Sequence, residues 1–141
     1  MRSLVWVMRL LAVFAVAAAA LRISNADEKK TPSIKEVMVK AHKTGTGLLP
    51  KIGKDLKAEE PAWDTIQKET RELVDLTGCL EKNKPPKGDK ESWEKLCQSY
   101  VKGAKGLDDA AQAKDKAAAS AAQKKLSGSC VKCHEAHRED D

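Results

Sequence analysis

The sequence predicts an all-α domain, an antiparallel four-helix bundle, and three observations carry that expectation. Helix-forming residues dominate the chain after its first 26 residues, and no segment there alternates apolar and polar residues with a strand's period of two. Apolar residues recur instead at helical spacing in four stretches. Two short turns and one longer first connection separate the stretches, as an up-and-down bundle requires.

The first stretch opens at Thr31-Pro32, a hydroxyl at the N-cap followed by proline at the first helical position, where its missing N–H costs nothing. Ile34, Val37, Met38 and Ala41 share one face, with His42 one turn beyond Met38. Gly45, Gly47, Pro50 and Gly53 break the pattern and predict an irregular connection through Leu48, Leu49 and Ile52. The second helix opens near Pro61 and carries Trp63, Ile66, Thr70, Leu73, Val74, Thr77 and Leu80. Lys84-Pro85-Pro86-Lys87-Gly88 is excluded from a helix interior and forms the next turn. Asp89 is the N-cap of the third helix, whose stripe runs Trp93, Leu96, Cys97, Tyr100, Val101, Ala104 and Leu107. The fourth starts near Asp115, passes through an alanine-rich segment to Leu126 and continues into Cys130–His137; Gly128 inside it costs about 1 kcal/mol relative to alanine.

The beginning of the 141-residue chain does not share this pattern. Arg2 and Arg9 carry the early charge, Leu10 to Leu21 is unbroken apolar sequence, and Ser24-Asn25-Ala26 supplies small residues before the polar sequence that starts at Asp27. That order predicts a secretory signal peptide over residues 1–26 and a mature domain over 27–141. The apolar run is short of the roughly 20 residues that a spanning helix needs, so no stable membrane insertion is expected after cleavage, although apolar Leu4 to Met8 leaves an uncleaved anchor as the alternative. Arg2, Arg9 and Arg22 leave with the signal, so 23 basic side chains face 21 acidic ones. A net of +2 does not suit nucleic-acid binding. The mature chain has few aromatic residues, Trp63, Trp93 and Tyr100, and much alanine. A flat apolar cofactor would fill the space such small side chains leave; helix propensity alone explains the alanines equally well.

Cys130-Val131-Lys132-Cys133-His134 is the motif that carries chemistry. Two thiols three positions apart on a helix can add to the two vinyl groups on one edge of a haem, and the next histidine then lies beside the iron as proximal ligand. One covalent haem c is therefore expected on Cys130 and Cys133, with His134 on the metal. A thioredoxin-like pair needs a strand-then-helix setting that this chain lacks. Zinc on Cys130, Cys133, His134 and His137 would need four ligands from two turns of one helix to surround a tetrahedral ion. A simple disulfide leaves His134 unexplained.

With this motif ending the last of four helices, the chain resembles the cytochrome c prime superfamily over about residues 31–138. Three places carry the likeness: the ending Cys130-x-x-Cys133-His134-x-x-His137-Arg138, although that family usually has an aromatic residue where His137 stands; Pro85-Pro86-Lys87-Gly88-Asp89-Lys90, similar to the turn between helices two and three of periplasmic b-type bundle cytochromes; and Met38, where low-spin members place a methionine ligand. The resemblance implies Met38 as sixth iron ligand, with His42, one turn on, as the competitor that helix geometry equally admits. It further implies a small electron carrier rather than an enzyme, held in the periplasm or an equivalent exported compartment. Such a carrier serves redox partner proteins, and the family's habit of pairing raises a homodimer. If Met38 only fills the core, an open sixth position implies binding of nitric oxide or carbon monoxide instead. His137 is expected to pack or hydrogen-bond at the haem edge, and Arg138 to pair with a propionate or sit at the helix C-terminus.

Cys79 and Cys97 flank the Pro85-Pro86 turn, and a hairpin of helices two and three can bring them face to face. A disulfide there would close a loop worth about 3 kcal/mol in the chain-entropy model. Two buried reduced thiols acting as small core residues are the alternative.

Overall fold

Ser33 and Glu36, not Thr31 and Pro32, set the start of the first helix. In the computed structural model, which describes residues 30–139, Ser33 Oγ accepts from the Glu36 N–H at 3.3 Å and a Glu36 carboxylate oxygen accepts from the Ser33 N–H at 2.8 Å. This reciprocal capping box satisfies two helix-end donors at once and moves the expected N-cap two residues on. The expected signal peptide lies outside the described residues.

Among the described residues every regular element is helical: α1 (Ile34–His42), α2 (Leu48–Asp55), α3 (Trp63–Thr77), a 3-10 turn (Leu80–Lys82), α4 (Lys90–Gln112), α5 (Lys116–Gly128) and α6 (Cys130–His137). None of these helices is long and apolar enough to cross a membrane. The α2 helix replaces the expected irregular connection. Leu48, Leu49, Ile52 and Leu56 recur at helical spacing and are all buried, and Pro50 stands in the first turn, where no intrahelical N–H is needed. Gly47 is the residue that permits the bend before α2: a Cβ there would lie 2.6 Å from the Lys43 nitrogen. The second expected helix ends earlier than its apolar pattern, with Leu80 carried by the 3-10 turn.

Asp89 caps as the sequence predicts, and Asp115, near the expected start of its helix, is a cap as well. Asp89 Oδ1 accepts from the Ser92 N–H at 2.7 Å and Asp115 Oδ1 from the Ala118 N–H at 2.9 Å. Between α4 and α5 the chain reverses through a Schellman arrangement: the Lys114 N–H donates to the Ala111 carbonyl and the Asp115 N–H to the Ala110 carbonyl, both at 3.0 Å. Lys114 has φ of 56°, the left-handed region that disfavours a side chain. Lys114→Gly is therefore expected to raise stability by about 0.5–1 kcal/mol, read as a higher urea midpoint at unchanged slope.

Polar contacts fix how the helices run. Thr70 Oγ1 donates to Asp108 at 2.6 Å and Gln67 Nε2 to the Ala111 carbonyl at 3.1 Å, while Trp93 Nε1 donates to the Asn83 carbonyl at 3.0 Å. The start of α3 thus meets the end of α4, and the segment that follows α3 meets the start of α4, so the pair is antiparallel. The α4 helix runs antiparallel to α5 and α6 as well: a Cβ on Gly103 would meet Leu126, and Ser92 meets His137 at 3.1 Å. The core these helices share includes Val37, Ile52, Ile66, Leu73, Trp93, Cys97, Leu107 and Leu126. The helix expected to run unbroken from Asp115 to His137 is divided at Ser129, whose hydroxyl donates to the Leu126 carbonyl at 2.7 Å.

Candidate functional site

The α6 helix presents two thiols on one side. Cys130 and Cys133 are three residues apart and both half-buried, whereas Val131, Lys132, His134 and Glu135 are exposed. His137 anchors the far end of this helix. Its Nδ1–H donates to the Lys87 carbonyl at 2.8 Å, which leaves Nε2 to accept from the Ser92 hydroxyl at 3.1 Å in the neutral ring. The ring is 2% exposed and meets the Trp93 ring edge-on at 5.4 Å. Gly88 makes room for it: φ is +79° there, and a Cβ would lie 2.8 Å from His137 Nδ1. His137 thus packs and hydrogen-bonds against the Pro85-Pro86 turn.

The contacts of His137 with α4 at one end and of Leu126 with Gly103 at the other fix the register between them. One turn inward from the Trp93–His137 contact come Cys97 on α4 and Cys133 on α6, and the next pair is Tyr100 and Cys130. The electrostatics follow this register. Burial pushes the Cys97 thiol up to about 12, and the Cys133, Glu81 and Glu94 charges add to it. Burial likewise raises the Cys133 thiol, with Cys130 adding, and raises the Tyr100 phenol, with Cys130 again contributing.

The α1 helix completes the arrangement. The Tyr100 hydroxyl and His42 Nε2 are 2.8 Å apart and the rings are 5.7 Å apart between centroids. With the phenol held protonated, Tyr100 O–H donates and His42 accepts as the neutral ring. Burial lowers the His42 pKa, and the nearby His134 charge lowers it further. In the haem-free chain the His42 neutral form is thus favoured by folding. Its contribution is complete above the unfolded value of about 6.5 and is lost as pH falls through the lower folded value. His42→Gln is expected to flatten that acid limb in urea titrations run at a series of pH values.

The structure thus pairs Tyr100 with His42, sets Cys130 near Tyr100 and Cys133 near Cys97, and leaves His134 exposed but near enough to His42 to act on its charge. Met38 lies one turn before His42, half-buried against the core. Arg138 is exposed. All four cysteines are free thiols; Cys79 Sγ donates to the Asp75 carbonyl at 3.4 Å and Cys97 is buried. Tyr100 was legible only as a core aromatic. Its signal was a phenol in the stripe, three residues from Cys97.

Two observations bear on a covalent haem. The donor chemistry suits it: two thiols on one side of a helix, an imidazole on the next residue, and an imidazole and a thioether on α1. The surfaces also leave the layer open. Met38, His42, Tyr100, Cys130 and Cys133 are half-buried, whereas Val37, Ala41 and Cys97 beneath them are sealed. The α6 helix packs on α4 and α5 while α1 packs on α2 and α3, so α1 and α6 are not closely packed against each other. A zinc set is short of a ligand because His137 has both ring nitrogens engaged, and among the described residues no three His, Cys, Asp or Glu side chains converge. An open concavity of ≈ 550 Å³ beside α4 and α6, lined by Ser92, Lys95, Leu96, Lys132 and Ala136 among others, contains no candidate ligand.

Comparisons with protein-family models, with curated proteins and with solved structures find no match to this chain.

Proposed function

We propose that the chain is an exported mono-haem c-type cytochrome that carries single electrons, similar to the low-spin branch of the cytochrome c prime superfamily. The observation that carries this reading is Cys130-x-x-Cys133-His134 on one short helix, with both thiols half-buried, Cys133 packed against the core, and His134 near enough to His42 on α1 to act on its charge. The antiparallel four-helix bundle belongs to the same reading, with α1 and α2 forming one leg, α3 and α4 the next two, and α5 with α6 the last. The reading further takes export to follow from the N-terminal signal sequence, and redox proteins to be the partners.

Haem supplies a one-electron couple when bound; the protein's part is to hold and shield it. Cys130 and Cys133 would hold the macrocycle through thioethers, and His134 would ligate the iron. A second protein ligand from α1 would exclude small ligands, which would favour electron transfer over gas binding. Met38 is the proposed sixth ligand. A thioether favours ferrous iron and raises the potential relative to a second imidazole. His42 is the second reading, supported by its electrostatic coupling to His134. In the first reading Tyr100 holds the His42 ring through Nε2; in the second, ligation through Nε2 would require that hydrogen bond to break.

Optical spectra of the haem-loaded protein test this. The expected result is a low-spin spectrum that does not respond to carbon monoxide, with a far-red sulfur-to-iron band in the oxidised protein. Met38→Ala is expected to abolish that band and admit carbon monoxide. A band-free low-spin spectrum that is lost in His42→Ala and kept in Met38→Ala transfers the role to His42. A wild-type spectrum that is high-spin and shifts with the gas overturns the carrier and makes nitric oxide or carbon monoxide binding the function.

A further inference from the structure

Cys97 is the one buried thiol among the four, and Cys79 and Cys133 are both partly buried against the core that contains it. On one side is α6. Cys97 lies one turn from Trp93, Cys133 lies one turn from His137, and the Trp93 and His137 rings meet at 5.4 Å. The Gly103–Leu126 contact holds the same antiparallel register beyond them, so Cys97 and Cys133 come level. On the other side is the end of α3. Gln98 Nε2 donates to Glu81 at 2.9 Å and Trp93 Nε1 to the Asn83 carbonyl at 3.0 Å, contacts that bring the segment holding Cys79 alongside the part of α4 holding Cys97. Cys79, Cys97 and Cys133 all belong to one hydrophobic cluster. Facing positions on helices packed with axes about 8–10 Å apart have Cα atoms roughly 4–6 Å apart, which overlaps the range a disulfide spans.

We propose that Cys97 is the shared partner of two alternative disulfides, with Cys79 and with Cys133, and that pairing with Cys79 leaves Cys133 reduced. Formation of the first link transfers two electrons and two protons from the Cys97 and Cys133 thiols to an external disulfide, which leaves as two thiols. The Cys79 thiolate then attacks Cys97 Sγ. The Cys79–Cys97 bond forms, the Cys97–Cys133 bond breaks, and Cys133 departs as a thiolate that takes up a proton. The exchange consumes no further oxidant. The disulfide part is independent of any cofactor; its consequence, that Cys79 keeps Cys133 available to haem, rests on the function proposed above.

The test uses the haem-free full chain with Cys130→Ser throughout, so that the neighbouring thiol does not compete. After exposure to oxidised glutathione and alkylation, peptide mass mapping is expected to show Cys79–Cys97 with Cys133 alkylated. Adding Cys79→Ser, or Cys79→Ala as a second variant, is expected to move the link to Cys97–Cys133, with helicity checked by circular dichroism. Cys97 left alkylated in the folded Cys79 variants overturns the proposal. With Cys130 restored and a haem-attachment system present, Cys79→Ser is expected to lose haem loading and Cys79→Ser with Cys97→Ser to regain it. Loading unaffected by Cys79→Ser overturns the protective role. A wild-type chain that takes no haem overturns the attachment reading and leaves the peptide map to decide the disulfides.

Discussion

Replacing Cys130 and Cys133 together by serine is expected to abolish covalent haem attachment completely, while the helical far-ultraviolet spectrum of the haem-free chain stays unchanged. Serine oxygen does not add to a haem vinyl group as a thiolate sulfur does, so no thioether forms. Both positions are half-buried beside α4, and serine fits the space of cysteine there. Haem staining after denaturing electrophoresis reads the loss. Each single replacement leaves one thiol and is expected to give weaker, single-linked staining. Equal staining in the double variant and the wild type would contradict this assignment of the motif.

Trp93→Ala is expected to destabilise the folded chain by about 3–5 kcal/mol, the range for removing a large buried aromatic ring. Trp93 is 3% exposed, donates to the Asn83 carbonyl and supports the His137 ring, so its loss loosens α3, α4 and α6 at one end of the molecule. His137→Phe separates packing from hydrogen bonding at the same place. Phenylalanine supplies a ring but no Nδ1–H for the Lys87 carbonyl and no Nε2 for the Ser92 hydroxyl, an expected loss of about 1 kcal/mol per hydrogen bond. Urea unfolding followed by circular dichroism measures both. A midpoint unchanged in Trp93→Ala would contradict the packing described here.

The local signals in the sequence were those written in contiguous residues. Asp89 stands just ahead of an apolar repeat and caps the helix it was expected to cap, and a helix begins beside Asp115 as expected. The Cys130-x-x-Cys133-His134 string needs no tertiary knowledge to be noticed. The α2 helix was hidden because Gly47, Pro50 and Gly53 outweighed the spacing of Leu48, Leu49, Ile52 and Leu56, although proline in a first turn interrupts nothing. Ser33-x-x-Glu36 was a readable capping box, masked by the Thr31-Pro32 signal just before it. The pairing of Tyr100 with His42 and the placing of Cys97 beside Cys133 are of another kind. They depend on the register between α1, α4 and α6, which is set by distant contacts such as Trp93 with His137 and Gly103 with Leu126. Helical period identifies the face that a residue occupies and says nothing of which neighbour meets it.

The central claim is that this chain carries one haem through Cys130 and Cys133. The intact mass of the wild-type chain, produced in an exported compartment with a haem-attachment system and measured under denaturing conditions, tests it most directly. The account predicts a single species heavier than the processed polypeptide by one haem. A mass equal to the processed polypeptide alone, from cells that load a control c-type cytochrome, would contradict it.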